Sequence, residues 1–323
     1  MLPFRPLVRN PHLQSILAHY WPRPDLTARF PLESRLITTE PGVQVLVASQ
    51  RPPGKPRGGV IMVHGLEGSG EAGYIRSLST AALRAGFAAH RFHMRTCGGT
   101  EHLCETLYHA GLTSDLRAVL REICREDGGP VALVGFSLGG NVVLKLAGEL
   151  ADHAASLIRC VAAVSTPLDL AACSRRISDP DNRIYQARFV RRMRDRLIAT
   201  GRYRAEEFAG LQTVEALDER FTAPSFGFPD AATYYRTQSA LGYLPDIRVP
   251  ALLVHARDDT FIPFSVYDSP EISHNSWIRL ILTENGGHLG FLGRGERFWL
   301  DLVLIEYICE NFTKDERRPS SKV

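Results

Sequence analysis

Residues 131–150, VALVGFSLGGNVVLKLAGEL, place Ser137 in the spacing G-x-S-x-G. An apolar run ends at Phe136 and a helical pattern begins at Leu138, so no residues are left for a loop. A turn this sharp forces the serine to a positive φ and requires small residues two positions before and after it. We therefore predict a strand–turn–helix unit that presents the Ser137 hydroxyl as a nucleophile at the start of a helix.

A glycine-rich turn that binds phosphate is the alternative interpretation of this stretch. Phosphate-binding turns carry a Lys-Ser or Lys-Thr pair after the glycines, or the spacing G-x-G-x-x-G. Residues 131–150 contain neither pattern. The nucleophile is therefore the favoured interpretation.

A serine hydroxyl is a weak nucleophile near neutral pH, and it needs a base that is itself oriented by an acid. With a serine in this kind of turn, the acid and then the histidine follow it along the chain. The histidines after the serine are His153, His255, His274 and His288. The first three are predicted at a helix end, inside a strand and after a helix at the wrong edge of the sheet. Only His288, in NGGHLGF, follows a strand at the carboxyl edge, and we predict that it is the base.

The acid is expected on the loop after the preceding strand, in VHARDDTFIP. If the strand ends at Ala256, a short turn carries Asp258 and Asp259, whose side chains must point in different directions. The second carboxylate is usually the one turned inward, so we predict that Asp259 is the acid. Asp258 remains the alternative, with capping of the turn or contact with solvent as its other role.

Acyl transfer also requires donors for the negative charge that develops on the carbonyl oxygen. The backbone N–H of Leu138, directly after the serine, is one expected donor. The second is expected from the glycine-rich segment HGLEGSG (64–70), where we predict the N–H of Leu66. His64 is interpreted as a structural hydrogen-bonding residue, because a base here would duplicate His288.

Apolar strands alternate with helical patterns along most of the chain. The predicted strands are 35–39, 43–49, 59–65, 87–92, 131–136, 158–164, 251–256 and 277–282. The predicted helices are 12–20, 74–85, 113–126, 138–150, 264–272 and 295–312. This alternation predicts an α/β fold with a mostly parallel central sheet flanked by helices.

The alternation is interrupted between residues 167 and 245, which are polar, Arg-rich and aromatic. We predict a helical cap here, over the carboxyl ends of the strands, where open α/β sheets bind ligands. The aromatic side chains Phe226, Tyr234 and Tyr235 are predicted to line an apolar substrate site beneath it. The predicted division is an N-terminal arm (1–30), a core (31–166 and 246–312), the cap (167–245) and a charged tail (313–323).

Residues 183–204, within the predicted cap, contain eight arginines and one acid, Asp195. Val190, Met193 and Leu197 have the i, i+3, i+7 spacing of a core-facing stripe, which places the arginines on the other faces of a helix. A solvated basic helix is one interpretation. Docking to an anionic lipid surface or to an acidic substrate group is the other.

Charge, cysteine spacing and apolar runs indicate which binding partners and which cellular location to expect. A net charge of +3 over 323 residues does not indicate nucleic-acid binding. The six cysteines have no C-x-x-C spacing and are predicted to be reduced thiols; one of them, Cys97, is expected to serve packing or loop structure. Without a signal-peptide pattern or an apolar run of transmembrane length, we expect a cytoplasmic protein. The oligomeric state is not indicated.

Several motifs together resemble the α/β-hydrolase family, and specifically its YheT-like branch, which is related to the ABHD-type esterases and lipases. They are GFSLGGN, NPHLQ (10–14), HGLEGSGEAGYI (64–75), MRTCGGTEHLCETLYHAGLTSDL (94–116), TAPSFGFPDAATYYRTQSAL (222–241), HARDDTFIP and GGHLGFL. The resemblance extends over nearly the whole chain. At one position it fails, because Thr96 stands where the branch usually has glycine.

The resemblance implies hydrolysis of small-molecule carboxylic esters, with Ser137, Asp259 and His288 at the matching positions. It supports Asp259, because the acid of the branch is the second Asp of the pair. The implied acyl-enzyme on Ser137 is released by water and needs no metal or organic cofactor. An acyltransferase would use the same residues with an alcohol as acceptor. A non-catalytic ligand-binding protein is the third alternative, although such proteins tend to lose one of these residues.

Overall fold

The central sheet has eight strands in the computed structural model, which describes residues 3–24, 26 and 29–316. They are β1 (Glu33–Glu40), β2 (Val43–Gln50), β3 (Gly59–Val63), β4 (Ala88–Phe92), β5 (Val131–Phe136), β6 (Ile158–Val164), β7 (Ala251–Ala256) and β8 (Ile278–Thr283). Their order across the sheet is β1-β2-β4-β3-β5-β6-β7-β8. Only β2 runs antiparallel to its neighbours, and all other pairs are parallel. The predicted α/β fold with a mostly parallel sheet is confirmed.

Helices cover both faces of this sheet. They are α1 (Pro11–Tyr20), α2 (Gly73–Arg84), α3 (Ser114–Asp127), α4 (Leu138–Leu150), α5 (Leu170–Ile177), α6 (Arg183–Ala199), α7 (Val214–Leu217), α8 (Ala223–Ser225), α9 (Ala231–Gln238), α10 (Pro270–Ser273) and α11 (Trp299–Glu316). Ile61 and Val63 of β3 pack with α3 and α4, whereas Val60 and Met62 pack with α2 and α11. Because successive side chains of a strand point to opposite faces, a strand covered on both sides must be apolar throughout.

Residues 167–245, which we predict to form the cap, hold five of these helices, α5 to α9, and no strand. They contribute a small apolar cluster of their own. Its buried members are Leu107, Met193, Leu197, Phe208, Val214, Leu217 and Phe221. All but Leu107 come from the inserted segment, so the segment packs partly against itself.

Two of the predicted helices differ from the structure. The helix predicted over 264–272 is wrong: a 3₁₀ turn, Phe264–Asp268, is separated from α10 by Ser269, whose ψ is 137°. Pro270 explains the break, because a proline disfavours helical geometry in the residue before it. The last helix begins at Trp299 rather than at 295 and continues to Glu316. Residues 313–316 of the predicted tail therefore belong to α11, and the rest of the tail lies outside the described residues.

All six cysteines are free thiols, as the sequence predicts. Cys97 is buried.

None of the helices in residues 3–24, 26 and 29–316 combines the length and apolar character needed to cross a bilayer. The location of the protein in the cell stays a prediction.

Candidate functional site

Ser137 lies between β5 and α4 with φ 51° and ψ −123°, which is the strained conformation that the sequence predicts. A side chain at Gly135 would collide with the backbone of Gly139, and one at Gly139 would collide with the carbonyl oxygen of Val63. The two glycines are therefore required by the close approach of three backbone segments. The turn leaves the serine hydroxyl at the carboxyl edge of the sheet.

A chain of hydrogen bonds joins Ser137, His288 and Asp259. His288 Nε2 lies 3.0 Å from Ser137 Oγ, and His288 Nδ1 lies 3.1 and 3.0 Å from the two carboxylate oxygens of Asp259. Asp259 follows β7 and His288 follows β8, so both come from neighbouring parallel strands at the same edge. The three residues that the sequence singled out thus form one chain, with His288 hydrogen-bonded to both Ser137 and Asp259.

The Asp259 carboxylate is buried and is surrounded by donors. Its Oδ1 accepts hydrogen bonds from the N–H groups of Phe261 at 2.9 Å and Ile262 at 3.1 Å. Burial by itself raises the pKa of Asp259, but His288, His255 and the amide of Phe261 outweigh burial and the pKa is lowered. A carboxylate that stays charged favours a proton on Nδ1 of His288 and leaves Nε2 to accept the proton of Ser137.

Asp258 has a different environment, although it is the adjacent residue. Its Oδ1 accepts the N–H of Gly287 at 2.8 Å, and its Oδ2 accepts the side-chain amide of Asn285 at 3.2 Å. Asp258 therefore holds the loop that carries His288 without contacting the imidazole of that residue.

Leu66 and Leu138, the predicted oxyanion donors, both line the cavity above Ser137. In the described part of the chain, neither amide donates a hydrogen bond. The segment that carries Leu66 approaches the serine closely, since a Cβ added to Gly65 would lie 3.1 Å from Ser137 Cβ. Backbone amides without another acceptor, close to a serine hydroxyl, are the kind of group that can stabilise an oxyanion.

Arg196 of α6 binds Glu67, which lies next to Leu66 in the glycine-rich segment. Arg196 Nε donates to both carboxylate oxygens of Glu67, at 2.9 and 3.0 Å, and the guanidinium lies 4.7 Å from the ring centroid of Tyr108. Burial alone lowers the pKa of Arg196, but the charge of Glu67 more than compensates and the pKa is raised. The expectation that every arginine of this helix faces outward is wrong for Arg196, whose side chain is 8% exposed.

Thr96, the residue that departs from the family pattern, also contacts this arginine. Its φ is 58°, a value that favours glycine. Its hydroxyl accepts a hydrogen bond from Arg196 Nη1 at 2.8 Å. The side chain thus gains a contact that glycine cannot make, at a backbone position that glycine would tolerate better.

Among the buried histidines near the site, His64 and His255 are weak bases, because burial lowers the pKa of each. His64 Nδ1 donates to its neighbour's carbonyl, Gly65 O, at 2.8 Å, and its Nε2 accepts the N–H of Met94 at 3.1 Å. Burial lowers the pKa of His64 to about 3, so it is neutral and structural, as the sequence analysis favours. His255 stacks on Tyr267 with ring centroids 3.8 Å apart, and burial lowers its pKa to about 4.

A mainly apolar cavity of about 120 Å³ lies above Ser137, between the sheet and the inserted helices. Tyr234 and Tyr235 line it, as predicted. Phe226 is not among the lining residues; its ring packs against His109 with centroids 4.4 Å apart, so that prediction is corrected. The side chains that line the cavity from α6 are Phe189, Met193 and Arg196.

Asp218 places a carboxyl group in the wall of this otherwise apolar cavity. It begins a π-helical turn, Asp218–Thr222, and its Oδ2 accepts a hydrogen bond from the hydroxyl of Tyr235 at 2.7 Å. Burial raises the pKa of Asp218 to about 6. Nothing in the sequence singles out Asp218, because an acid in a short helical segment is typical of a solvated surface.

The N-terminal helix α1 contacts the loop of His288, a contact that the sequence did not predict. Ser15 Oγ accepts the backbone N–H of His288 at 2.8 Å, and Gln14 Nε2 donates to the carbonyl oxygens of Gly290 and of Leu292, the latter at 2.8 Å. The NPHLQ motif was the available signal, since it occurs in an otherwise irregular arm.

Comparison with known proteins identifies the family. The model of a family described as "Alpha/beta hydrolase family" matches residues 60–299. The chain belongs to the alpha/beta hydrolase family. This hydrolase is 34% identical over 315 residues to YheT of Escherichia coli (strain K12), covering 93% of this chain and 90% of that protein. It is therefore a member of the YheT-like branch.

Two eukaryotic relatives carry more specific names. A "Monoacylglycerol lipase" of Saccharomyces cerevisiae is 29% identical over 266 residues, which cover 77% of this hydrolase and 58% of the yeast protein. "Phospholipase ABHD3" of Mus musculus is 26% identical over 292 residues, covering 84% of this chain and 69% of the mouse protein. Together with the family, these relatives establish that the chain is a hydrolase enzyme.

Solved structures show the same fold. The esterase Pf2001 of Pyrococcus furiosus superposes with a TM-score of 0.60 at 18% identity, covering 90% of this hydrolase and 98% of that chain. Est1E of Butyrivibrio proteoclasticus, with ferulic acid bound, gives a TM-score of 0.58 at 15% identity, covering 86% and 99% of the two chains.

Proposed function

We propose that the protein is a serine carboxylesterase that cleaves small-molecule esters through an acyl-enzyme on Ser137. The observation that carries this proposal is the continuous hydrogen-bond chain from Ser137 Oγ through His288 to the buried carboxylate of Asp259. An oriented imidazole within 3.0 Å of a serine hydroxyl is the arrangement that activates that hydroxyl.

In the proposed reaction, His288 Nε2 takes the proton of Ser137 as the hydroxyl oxygen attacks the ester carbonyl. Asp259 stabilises the imidazolium that forms, and the N–H groups of Leu66 and Leu138 receive the negative charge on the carbonyl oxygen. Each such donor is worth about 3 kcal/mol of transition-state stabilisation. The imidazolium then protonates the leaving alcohol. In the second half of the reaction, His288 takes a proton from a water molecule as that water attacks the acyl carbonyl. The same proton passes to Ser137 Oγ when the carboxylic acid is released. No metal or organic cofactor takes part in these steps.

The cavity supports short- to medium-chain acyl groups as substrates. Its volume is about 120 Å³ and its walls are mainly apolar. For comparison, an apolar cavity of roughly 150 Å³ holds a benzene molecule. The names of the yeast and mouse relatives, a monoacylglycerol lipase and a phospholipase, support acyl esters as the class of substrate.

The test of this proposal is hydrolysis of p-nitrophenyl esters from acetate to palmitate by wild type and by Ser137→Ala. We expect Ser137→Ala to abolish turnover and fluorophosphonate labelling while the protein remains folded. Ser156→Ala is a matched control, because Ser156 is exposed and lies beyond the far end of α4. Labelling of Ser137→Ala at the stoichiometry of wild type would reject Ser137 as the nucleophile. Product analysis with added ethanol separates a hydrolase from an acyltransferase.

A further inference from the structure

Four exposed apolar side chains gather on two adjoining helices, α1 and α6. Leu13 is 54% exposed, Ile16 42%, Tyr20 69% and Ile184 83%. The first three have the i, i+3, i+7 spacing that places side chains on one helix face. Seven large apolar side chains are exposed in the described part of the chain. The other three lie apart along the sequence: Leu36 on β1, Trp277 in the turn before β8 and Leu302 on α11.

Direct contacts place these two helices side by side. The His12 ring stacks on Tyr185 with centroids 5.6 Å apart and an interplanar angle of 13°. Arg188 of α6 lies 3.3 Å from the hydroxyl of Tyr20 and 3.1 Å from Nε2 of His19. The exposed apolar side chains of α1 therefore border the exposed face of α6. We call this surface the α1–α6 face, defined by Leu13, Ile16, Tyr20, Ile184, Arg188 and Arg191.

The charge beside these apolar side chains is mainly positive. Helix α6 contains six arginines and one acid, Asp195, which is paired with Arg194 at 2.8 Å. Ile184, Arg188 and Arg191 have the i, i+4, i+7 spacing of one face. In the residues that the structure describes, neither arginine of this face forms a salt bridge, and the nearby Asp179 and Asp181 are paired with Arg176.

The inner face of the same helix is part of the cavity wall. Phe189, Met193 and Arg196 line the cavity above Ser137. Phe261 connects the two regions, because its ring contacts Tyr185 on one side, with centroids 4.7 Å apart, and His288 on the other, at 4.4 Å. A surface that binds the outside of α6 would therefore lie directly over the proposed active site.

We propose that the α1–α6 face docks the protein on a lipid surface that contains anionic lipids. Exposed leucine, isoleucine and tyrosine side chains insert at the boundary between headgroups and acyl chains, while arginines beside them attract anionic headgroups. A second copy of the chain fits this face less well, since related copies would bring arginines opposite arginines. Docking requires no chemistry at Ser137, so it can be tested apart from the proposed ester hydrolysis.

The experiment is co-sedimentation of the full chain carrying Ser137→Ala with vesicles of phosphatidylcholine alone or mixed with phosphatidylglycerol. We expect binding to the mixed vesicles that weakens as salt is raised. Ile184→Glu should lower the partition coefficient about tenfold or more, and Arg188→Gln and Arg191→Gln about fivefold each. Leu36→Glu is the matched control, because Leu36 is 47% exposed on the edge strand β1, and it should leave binding unchanged.

Three outcomes would overturn the proposal. The first is no binding to the mixed vesicles, or equal binding to neutral and mixed vesicles. The second is an equal effect of Leu36→Glu and Ile184→Glu. The third is a dimer in light scattering that Ile184→Glu dissociates, because a second copy would then occupy the face. Ile184→Glu in the protein with Ser137 intact should leave hydrolysis of p-nitrophenyl acetate in solution unchanged. If wild type does not hydrolyse this ester, the proposed esterase activity is rejected. Vesicle binding would still stand as an independent result.

Discussion

The hydroxyl of Ser15 accepts the backbone N–H of His288 at 2.8 Å, so the first helix of the chain holds the proposed catalytic base. The same hydroxyl donates to the carbonyl oxygen of Pro11 at 2.7 Å, which fixes its direction. The loop around His288 is rich in glycine and has little rigidity of its own. Gln14, almost fully buried, adds hydrogen bonds to two carbonyl oxygens of this loop. We infer that α1 positions the imidazole relative to Ser137.

Ser15→Ala should therefore lower kcat with little change in KM. Loss of one neutral hydrogen bond costs about 1 kcal/mol, which corresponds to a decrease in rate of about fivefold. Ser15→Thr keeps the hydroxyl and should restore most of kcat. Steady-state kinetics with a soluble ester, beside thermal unfolding of each variant, measures both effects. A lowered Tm with kcat unchanged in Ser15→Ala would show that the contact serves stability alone.

Asp259→Asn should reduce kcat by several orders of magnitude, because an amide facing Nδ1 of His288 stabilises the wrong tautomer. Asp258→Asn is the matched control, since it changes the adjacent carboxylate in the same way. Its remaining oxygen can still accept the N–H of Gly287, so we expect a decrease of no more than about tenfold. The larger loss in Asp258→Asn, with both variants folded, would transfer the role of the acid to Asp258.

Arg196→Met should destabilise the protein strongly, because it leaves the buried Glu67 carboxylate without its partner. Removal of one partner of a buried ion pair typically lowers the free energy of unfolding by about 3–5 kcal/mol. The double variant Glu67→Gln/Arg196→Met removes both charges and should recover a large part of this loss. Urea unfolding of the single and double variants measures the coupling. Additive losses would mean that the two side chains do not stabilise each other.

Phe189→Ala should change the preference for acyl chain length, because Phe189 lines the cavity above Ser137. Apolar contacts in a pocket are worth about 1–3 kcal/mol in kcat/KM between substrates of different size. Phe226→Ala removes an aromatic ring of the same inserted segment that does not line the cavity, and it should leave the ratio unchanged. The measurement is kcat/KM for a series of p-nitrophenyl esters. Parallel profiles for wild type and Phe189→Ala would contradict the assignment of this wall to the acyl chain.

Asp218→Asn should stabilise the protein at neutral pH but not at low pH. Burial raises the pKa of Asp218 from 3.8 to about 6, so the folded state binds this proton more tightly than the unfolded state. Stability of wild type therefore falls as pH rises from about 4 to about 6, by about 3 kcal/mol from this group. Asn keeps an acceptor for Tyr235 and removes the penalty. A difference in free energy of unfolding that does not vary with pH would contradict this account.

Local features of the sequence were sufficient to predict the strands, most helices and the positions of Ser137, Asp259 and His288. The turn at Ser137 could be predicted because an apolar run meets a helical pattern with no residues between them, and only small residues fit around such a turn. Asp259 and His288 could be placed because the carboxyl ends of neighbouring parallel strands meet at one edge of a sheet. These inferences depend on periodicity and turn chemistry, which act over a few residues.

Contacts between distant elements were decided by the tertiary structure alone. Which aromatic ring enters the cavity, Phe189 rather than Phe226, depends on the rotation of each helix against its neighbours. Arg196 turns inward on an otherwise basic helix because Glu67 offers a buried partner from the opposite side of the site. The hydrogen bond from His288 to Ser15 joins two ends of the chain. A sequence pattern describes which side of a helix is apolar, whereas the partner of a polar side chain is set only when the elements pack together.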